Sequence, residues 1–251
     1  MARGVNAVSR RLRQLPSSFF HEDYRFFQQI ISLIHPYMDK SYGTILDFGA
    51  GNSPYKDLFE CKSYVSLDVA QNESRSIDLI VKPGEEIPLP EDSIDLALCM
   101  DVLEHCDEPK FVLQELRRVL KPGGHLLISV PFINREHEMP NDFFRYTSSL
   151  FGKVLNDNDF FDIEIRKVGN RWFTIYSVWN ESIILNSEQT HGGYIGRLLR
   201  QGLRYTLIPI LNMTAFSSWP SPDAGVYHHL FISCQKLRNA ETSTTSNRVK
   251  C

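Results

Sequence analysis

Residues 44–52 read TILDFGAGN, and this stretch says more about the fold than any other part of the 251-residue chain. Thr44–Phe48 is a short apolar run with the length of a buried strand, and a loop with Gly49 and Gly51 follows it. Two glycines one residue apart let the backbone turn sharply and approach a ligand closely, because neither carries a β-carbon. The stretch predicts a nucleotide-type ligand site where a strand ends.

A carboxylate follows the next predicted strand. Tyr64–Leu67 forms that strand, and Asp68 stands at its end, 19 residues after Gly49. This spacing places the carboxylate beside the glycine loop, where it can accept hydrogen bonds from both hydroxyls of a ribose. Strand, loop and terminal acid together predict a ligand that contains a ribose.

Short apolar runs alternate with helices along the rest of the chain. Helices are predicted at 21–38, 109–120 and 148–156, and further strands at 77–81, 94–100, 126–130, 161–168 and 227–236. Pro36 is expected to end the first helix, and Lys121–Gly124 to end the second. Such alternation predicts a mostly parallel sheet with right-handed crossovers.

A single domain is predicted over residues 21–238, with a helical insertion at 170–225. Residues 1–20 form a basic arm, either a short cationic amphipathic helix or a tail with solvated arginines. The polar, Ser/Thr-rich tail at 239–251 is expected to be disordered.

The composition is that of an ordinary globular protein, with 42% hydrophobic and 23% charged residues. A net charge of −3 gives no reason to expect nucleic acid as a partner. The five cysteines form no Cys-x-x-Cys pair, a pattern that suits a reducing cytosol. No leader-like apolar run or stretch of 18 apolar residues occurs, so we expect a cytoplasmic protein.

The residues around the glycine loop discriminate between two ribose-containing cofactors. A dinucleotide site needs a third glycine so that a pyrophosphate can sit on a helix N-terminus, but Pro54 stands there and offers no N–H group. Asp47 would repel a diphosphate, whereas it suits a cationic amino-acid group. These residues favour S-adenosylmethionine (SAM) over a nicotinamide dinucleotide.

Five ordered motifs resemble those of class I SAM-dependent methyltransferases, most closely the group called methyltransferase type 11. The motifs are Asp47–Gly51, Asp68, Ile87–Asp95, Asp101–His105 and Leu120–Gly124. The resemblance covers roughly residues 40–170. It implies an α/β fold with a Rossmann-like, mostly parallel seven-stranded sheet flanked by helices, an antiparallel last strand and a helical insertion before it.

The resemblance also implies a role for each cofactor-binding residue. The methionine part of SAM would contact five residues: Asp47 at the ammonium group, Gly49 and Gly51 in the loop, and Met100 and Asp101 after the fourth strand. Asp68 would hold the ribose, and Val69 would contact the adenine. Family members usually have an aspartate near the adenine amino group; residues 82–86 lack one, so this contact is assigned to Glu85 or to backbone.

Two histidines are candidate catalytic bases. His105 stands close to the expected position of the methyl group, and His137 follows the fifth strand. A hydroxyl acceptor needs a base with a pKa near neutral, which histidine provides. A structural role in the strand–helix loop is the alternative for His105.

The polar loop at 131–147 is predicted to bind the acceptor. The loop combines charge with an aromatic ring at Asp142, Arg145 and Tyr146. This composition is better suited to binding a substrate than to packing in a core. The loop also resembles that of a type 11 subgroup of envelope-glycan and lipid-modifying enzymes.

No metal site is expected from the spacing of candidate ligands. His228 and His229 are adjacent in a strand and point to opposite faces, and His105-Cys106 lacks further ligands nearby in the sequence. Residues 100–103 lack the Asn-Pro-Pro-Tyr type of box found in nucleic-acid amino methyltransferases.

The segment at 194–216 interleaves leucines with Arg197, Arg200 and Arg204. This pattern predicts a cationic amphipathic helix. The helix either binds weakly to an anionic membrane, which would make the protein peripheral, or packs as a cap with its arginines in water.

The sequence as a whole predicts a SAM-dependent methyltransferase that acts on an O or N atom of a small, glycan- or lipid-linked acceptor. A non-catalytic SAM-fold binding protein is the alternative, and a nicotinamide oxidoreductase comes third.

Overall fold

The computed structural model of the chain describes residues 24–171, 173–175, 177–178, 202, 206 and 225–237. The predicted basic arm at 1–20, most of the predicted insertion at 170–225 and the tail at 239–251 lie outside this part. The described residues fall into two compact units, one with residues 34–132, 137–166 and 230–237, the other with 24–33, 133–136 and the described positions of 167–229. The single-domain division stays a prediction.

Seven strands form one sheet within the described part of the chain. They are β1 Ser41–Phe48, β2 Glu60–Asp68, β3 Leu79–Ile80, β4 Ile94–Met100, β5 Leu120–Pro131, β6 Phe160–Val168 and β7 His229–Lys236. Their spatial order is β3-β2-β1-β4-β5-β7-β6, and β1 pairs parallel with both β2 and β4. The pairs β2–β3 and β4–β5 are also parallel, and the last strands are antiparallel. The predicted Rossmann-like fold is confirmed.

The described helices are α1 Tyr24–Met38, α2 Pro109–Val119 and α3 Ser148–Asp157, with 3₁₀ turns at Lys56–Leu58 and Leu103–His105. Pro36 lies in the last turn of α1, which ends at Met38 as predicted. The proline removes one N–H donor close to the end of the helix, and the Tyr42 hydroxyl donates to the carbonyl of Tyr37 in that last turn at 2.9 Å. Among the described residues, the helices are too short or too polar to cross a membrane.

The strand order positions a site at the carboxyl ends of β1 and β4. From β1 the chain proceeds outward to β2 and β3, and it then returns to the other side of β1 with β4 and β5. The loops that follow β1 and β4 therefore leave the sheet in opposite directions and open a crevice between them, as in other doubly wound sheets. Both strands are largely buried, so the backbone that carries these loops is fixed by the core.

Candidate functional site

A cavity of about 480 Å³ opens at this crevice. That volume falls in the range of roughly 300–1,000 Å³ that is usual for small-molecule sites. The cavity is lined by the segments that follow β1, β2 and β4, by residues 81–87, by part of α2 and by the loop at 138–143. Of the residues predicted from the sequence, seven line it: Gly49, Gly51, Asp68, Val69, Glu85, Asp101 and His105.

The two glycines of the loop are required for different reasons. Gly49 has φ +71°, and a β-carbon on it would lie 2.3 Å from Cγ2 of Val102, which follows β4. Gly51 has φ +52°, but a β-carbon there would meet no atom within 4 Å. Gly49 therefore allows the two loops to approach each other, whereas Gly51 leaves space open beside the cavity.

Asp68 is fixed by backbone donors on both sides. Its Oδ2 accepts a hydrogen bond from the Gly51 N–H at 2.8 Å, and its Oδ1 accepts one from the Val69 N–H at 2.7 Å. Each carboxylate oxygen can accept a further hydrogen bond. The apolar side chain of Val69 is 59% exposed at the cavity wall. The end of β2 thus offers an oriented carboxylate next to an uncovered apolar surface.

Asp47 lies beneath the loop and does not line the cavity. It is 3% exposed, and its Oδ2 accepts a hydrogen bond from the Tyr64 hydroxyl at 2.7 Å. Burial raises the pKa of Asp47 to about 6, although the hydrogen bond from Tyr64 lowers it. A buried carboxyl in this state would be stabilised by a cationic group.

The wall formed by residues 81–87 is held from α2. Glu115 accepts a hydrogen bond from the Ile87 N–H at 2.8 Å, and Arg118 donates to the carbonyls of Ile87 and Leu89 at 2.8 and 3.0 Å. Glu85 lines the cavity, and its carboxylate accepts a hydrogen bond from the Lys82 N–H at 3.0 Å. Its proposed contact with an adenine stays a prediction.

The residues at the end of β4 differ in how they meet the cavity. Asp101 lines it with φ +56°, an unusual conformation for a residue with a side chain, and its N–H donates to the Ser129 carbonyl at 3.0 Å. Burial raises the pKa of Asp101 above its usual range. Met100, which is 9% exposed, lies just outside the lining. Backbone strain of this kind concentrates at functional sites.

His105 is oriented by a hydrogen bond from its ring. Its Nδ1 lies 2.8 Å from the Asn141 carbonyl oxygen, which can only accept, so Nδ1 carries the proton of the neutral ring and Nε2 keeps the lone pair. Nε2 lies 3.8 Å from Oε1 of Glu104 and 3.9 Å from Oε2 of Glu138. The available nitrogen of His105 therefore faces two carboxyl groups at the cavity.

Glu104 was not among the residues predicted from the sequence, although it stands inside the fourth motif. Its side chain is 0% exposed, and neither carboxyl oxygen has a hydrogen-bond partner among the described residues. Burial and the charge of Asp101 raise the pKa of Glu104 well above its usual range. A motif position reveals neither burial nor missing hydrogen-bond partners, so these properties of Glu104 could not be predicted from the sequence.

His137, Asp142 and Arg145 form one connected group. The Arg145 guanidinium donates to both carboxylate oxygens of Asp142 at 2.5 and 2.7 Å. The backbone N–H of His137 donates to Oδ2 of Asp142 at 2.9 Å. These bonds hold the pKa of Asp142 at about 2. The rings of His137 and His105 pack edge to face with centroids 4.8 Å apart. The structure thus brings the two candidate bases together, while Asp142 and Arg145 pair with each other.

Tyr146 is buried next to the same turn. Its hydroxyl donates to the Leu103 carbonyl at 3.3 Å, and its ring packs edge to face on Phe151. His137, Asp142, Arg145 and Tyr146 do not appear in the cavity lining, whereas Asn141 and Phe143 of the same loop do. The contribution of Tyr146 to acceptor binding stays a prediction, as do those of Asp142 and Arg145.

Comparison with known proteins agrees with this geometry. Residues 46–128 match a protein family described as a methyltransferase domain. An uncharacterised protein from Methanocaldococcus jannaschii is 30% identical over 146 residues, which cover 55% of this chain and 61% of that protein. The match thus spans less than two thirds of the length of this relative.

Two solved structures share the fold at low identity. The [4+2]-cyclase SpnF superposes with a TM-score of 0.55 at 17% identity, over 84% of this chain and 82% of that one. Phosphoethanolamine N-methyltransferase 2 from Haemonchus contortus, in complex with SAM, gives 0.53 at 12% identity, over 91% and 60%. Residues 46–128 thus match the methyltransferase domain family, within a chain that has a Rossmann-like fold.

Proposed function

We propose that this protein is a SAM-dependent methyltransferase that methylates an O or N atom of a small-molecule acceptor. One observation carries the proposal: a single cavity is bordered at one end by the glycine loop and Asp68, and at the other by His105 and the loop at 138–143. The first end matches a nucleoside with an amino-acid tail, and the second end offers groups that can handle a proton.

The residues at the first end fit SAM. Asp68 has acceptor capacity left for the ribose hydroxyls, and the exposed Val69 provides an apolar face for the adenine. The space beside Gly51 leaves room for the methionine part, and the buried Asp47 would be stabilised by its ammonium group. When bound, SAM supplies an electrophilic methyl group on a sulfonium sulfur.

The acceptor end contributes position and proton transfer. Methyl transfer mainly requires that the acceptor atom is held in line with the methyl group at about 3–3.5 Å, with water excluded. The exposed Phe143 and the backbone around Asn141 line the space available to the acceptor. Nε2 of His105 carries the lone pair that can take a proton from an acceptor hydroxyl or amine.

The nature of the acceptor rests on the sequence alone. The glycan- or lipid-linked class comes from the resemblance of the loop at 131–147 to that of a type 11 subgroup of envelope-glycan and lipid-modifying enzymes. The weak membrane-surface association comes from residues 194–216, of which the structure describes only 202 and 206. A cytoplasmic, peripheral location is proposed on the same basis.

Calorimetric titration with SAM and with NAD tests the cofactor half of the proposal. We expect SAM to bind with one equivalent and NAD to give no heat of binding, because Pro54 offers no N–H group to a pyrophosphate. If NAD bound and SAM did not, the assignment would be overturned.

The fold alone does not establish methyl transfer, as the similarity to a cyclase makes clear. Incubation with methyl-labelled SAM and a metabolite extract must therefore yield labelled product; SAM binding with no transfer would favour a non-catalytic binding protein.

Replacing Asp47 by asparagine is expected to stabilise the protein while weakening SAM binding. Since burial raises the pKa of Asp47 to about 6, the folded state holds a proton that the unfolded chain releases above pH ~4. Stability therefore falls as the pH rises through that window, and at pH 7 the ionised carboxyl costs roughly 3 kcal/mol. The amide oxygen of asparagine can still accept the hydrogen bond from Tyr64.

Urea unfolding at two pH values measures this effect. Asp47→Asn should gain about 1–3 kcal/mol over the wild type at pH 7, and the gain should vanish near pH 4. Asp39→Asn, at an exposed position, is the matched control and should change nothing. An equal gain at both pH values would show that the charge of Asp47 is not the cause.

A further inference from the structure

Three metal-ligand side chains meet at the acceptor end of the cavity. Glu104 and His105 belong to the 3₁₀ turn after β4, and His137 comes from the loop after β5. One ligand atom of each residue lies within 4.8 Å of the others. The two segments are tied together by backbone, since the N–H of Phe143 donates to the Glu104 carbonyl at 2.8 Å.

Each of the two histidines has an oxygen atom facing its Nδ1. The Asn141 carbonyl accepts from Nδ1 of His105, and Asp142 faces Nδ1 of His137 at 3.4 Å. An acceptor at Nδ1 fixes the tautomer in which Nε2 has the lone pair, which is the usual arrangement around metal-binding histidines. Asp142 is itself held by Arg145, so the orientation of the His137 ring has a second layer of support.

Glu104 supplies an independent indication of a cation. Its carboxyl group is 0% exposed, has no hydrogen-bond partner among the described residues, and has Oε1 3.8 Å from Nε2 of His105. A buried polar group without a partner destabilises the folded state, and more so when it is ionised. The nearby carboxyl groups of Asp101 and Glu138 add negative potential. A bound cation would satisfy the carboxylate and offset the surrounding charge.

We propose that Glu104, His105 and His137 bind one divalent first-row transition-metal cation such as Zn²⁺. Two imidazoles and one carboxylate are a ligand set for such metals, whereas Mg²⁺ and Ca²⁺ favour oxygen ligands alone. Tetrahedral coordination at ~2.0–2.1 Å needs ligand atoms about 3.3 Å apart, so the side chains must close in from the present separation of up to 4.8 Å. Three protein ligands leave coordination positions open.

The cation would lie next to the cavity, because its ligand His105 belongs to the cavity lining. An acceptor oxygen bound there would lose its proton at a lower pH, as water does on zinc. This role of the cation in catalysis rests on the proposed function, but binding of the cation does not.

Titration of the chelator-treated full chain with Zn²⁺, against a chromophoric competitor at pH 7, tests the site. We expect one equivalent to bind at this site, and His105→Gln, His137→Ala and Glu104→Gln each to weaken its binding at least tenfold. His35→Ala, which removes an exposed histidine in α1, should leave binding unchanged. Mg²⁺ at the same concentration should not compete. Circular dichroism checks that each variant is folded. The near-isosteric Glu104→Gln keeps the test valid if a histidine variant does not fold.

Two further measurements separate the metal site from the proposed function. The visible spectrum of bound Co²⁺ reports its ligands and should change in the His137 variant, whereas a spectrum unaffected by that variant would overturn the site. The site would also be overturned if all three variants bound zinc as tightly as the wild type, or if Mg²⁺ bound as tightly as Zn²⁺. SAM titration of the metal-free wild type is scored separately: SAM binding without zinc binding refutes only the metal site, and the reverse result refutes only the cofactor assignment.

Discussion

Asp68→Ala is expected to weaken SAM binding at least tenfold, and by up to about ten-thousandfold. The change removes the acceptor of up to two ribose hydroxyl bonds, each worth about 1.5–3 kcal/mol when charge-assisted, and 1.4 kcal/mol corresponds to a factor of ten. It also leaves the N–H groups of Gly51 and Val69 without the acceptor that orients them. The loss thus combines missing ligand contacts with a less ordered glycine loop.

Calorimetry on two matched variants separates these contributions. Asp68→Asn keeps one oxygen acceptor for the loop and should lose less affinity than Asp68→Ala. Glu73→Ala removes an exposed carboxylate a few residues further on, outside the cavity lining, and should bind SAM as the wild type does. Unchanged affinity in Asp68→Ala would mean that the ribose lies elsewhere.

The fold and the nucleoside end of the cavity were accessible from the sequence because their signals are local. A buried strand, a glycine pair and an acid at the end of the next strand each occupy a few consecutive residues. Parallel pairing then brings the ends of neighbouring strands to one edge of the sheet, so Gly51 and Asp68 had to meet. No knowledge of the side-chain packing was needed for that inference.

The acceptor end was less accessible because it depends on contacts between distant loops. His105 and His137 are 32 residues apart, and only the path of the loop after β5 brings their rings together. The spacing of candidate ligands along the chain did not predict a cation there. Likewise, Asp142 and Arg145 were predicted to bind the acceptor, and the sequence did not indicate that the structure pairs them with each other.

Several energetic costs concentrate around the cavity. Asp47 is buried in a state that favours its neutral form, Asp101 has a positive φ, and Glu104 lacks a hydrogen-bond partner in the described part of the chain. Strain and unsatisfied polar groups persist where ligand binding compensates for them. Bound ligands should therefore stabilise this region by relieving these costs as well as by adding contacts. In thermal unfolding, SAM and Zn²⁺ together should raise the Tm more than either ligand alone.

Alanine at the two loop glycines is expected to produce opposite phenotypes. Gly49→Ala should lose about 2–5 kcal/mol of stability, because the strain of a positive φ adds to the clash of a β-carbon 2.3 Å from Val102. Gly51→Ala should lose only about 1–2 kcal/mol, since its φ is strained but its β-carbon meets no protein atom. Its SAM affinity, by contrast, should fall more than tenfold, because the methyl group enters the space assigned to the methionine part.

A second substitution decides whether the clash is the cause. Val102→Ala removes both Cγ atoms that a β-carbon on residue 49 would meet, at 2.3 and 2.8 Å. The double variant Gly49→Ala/Val102→Ala should therefore be more stable than Gly49→Ala, whereas Val102→Ala should give Gly51→Ala no such recovery. Urea unfolding measures the coupling, and calorimetry measures SAM affinity, in the wild type, the three single variants and the two double variants. If Gly51→Ala binds SAM like the wild type, the methionine part does not lie beside residue 51, and the placement of the ligand in the cavity is wrong.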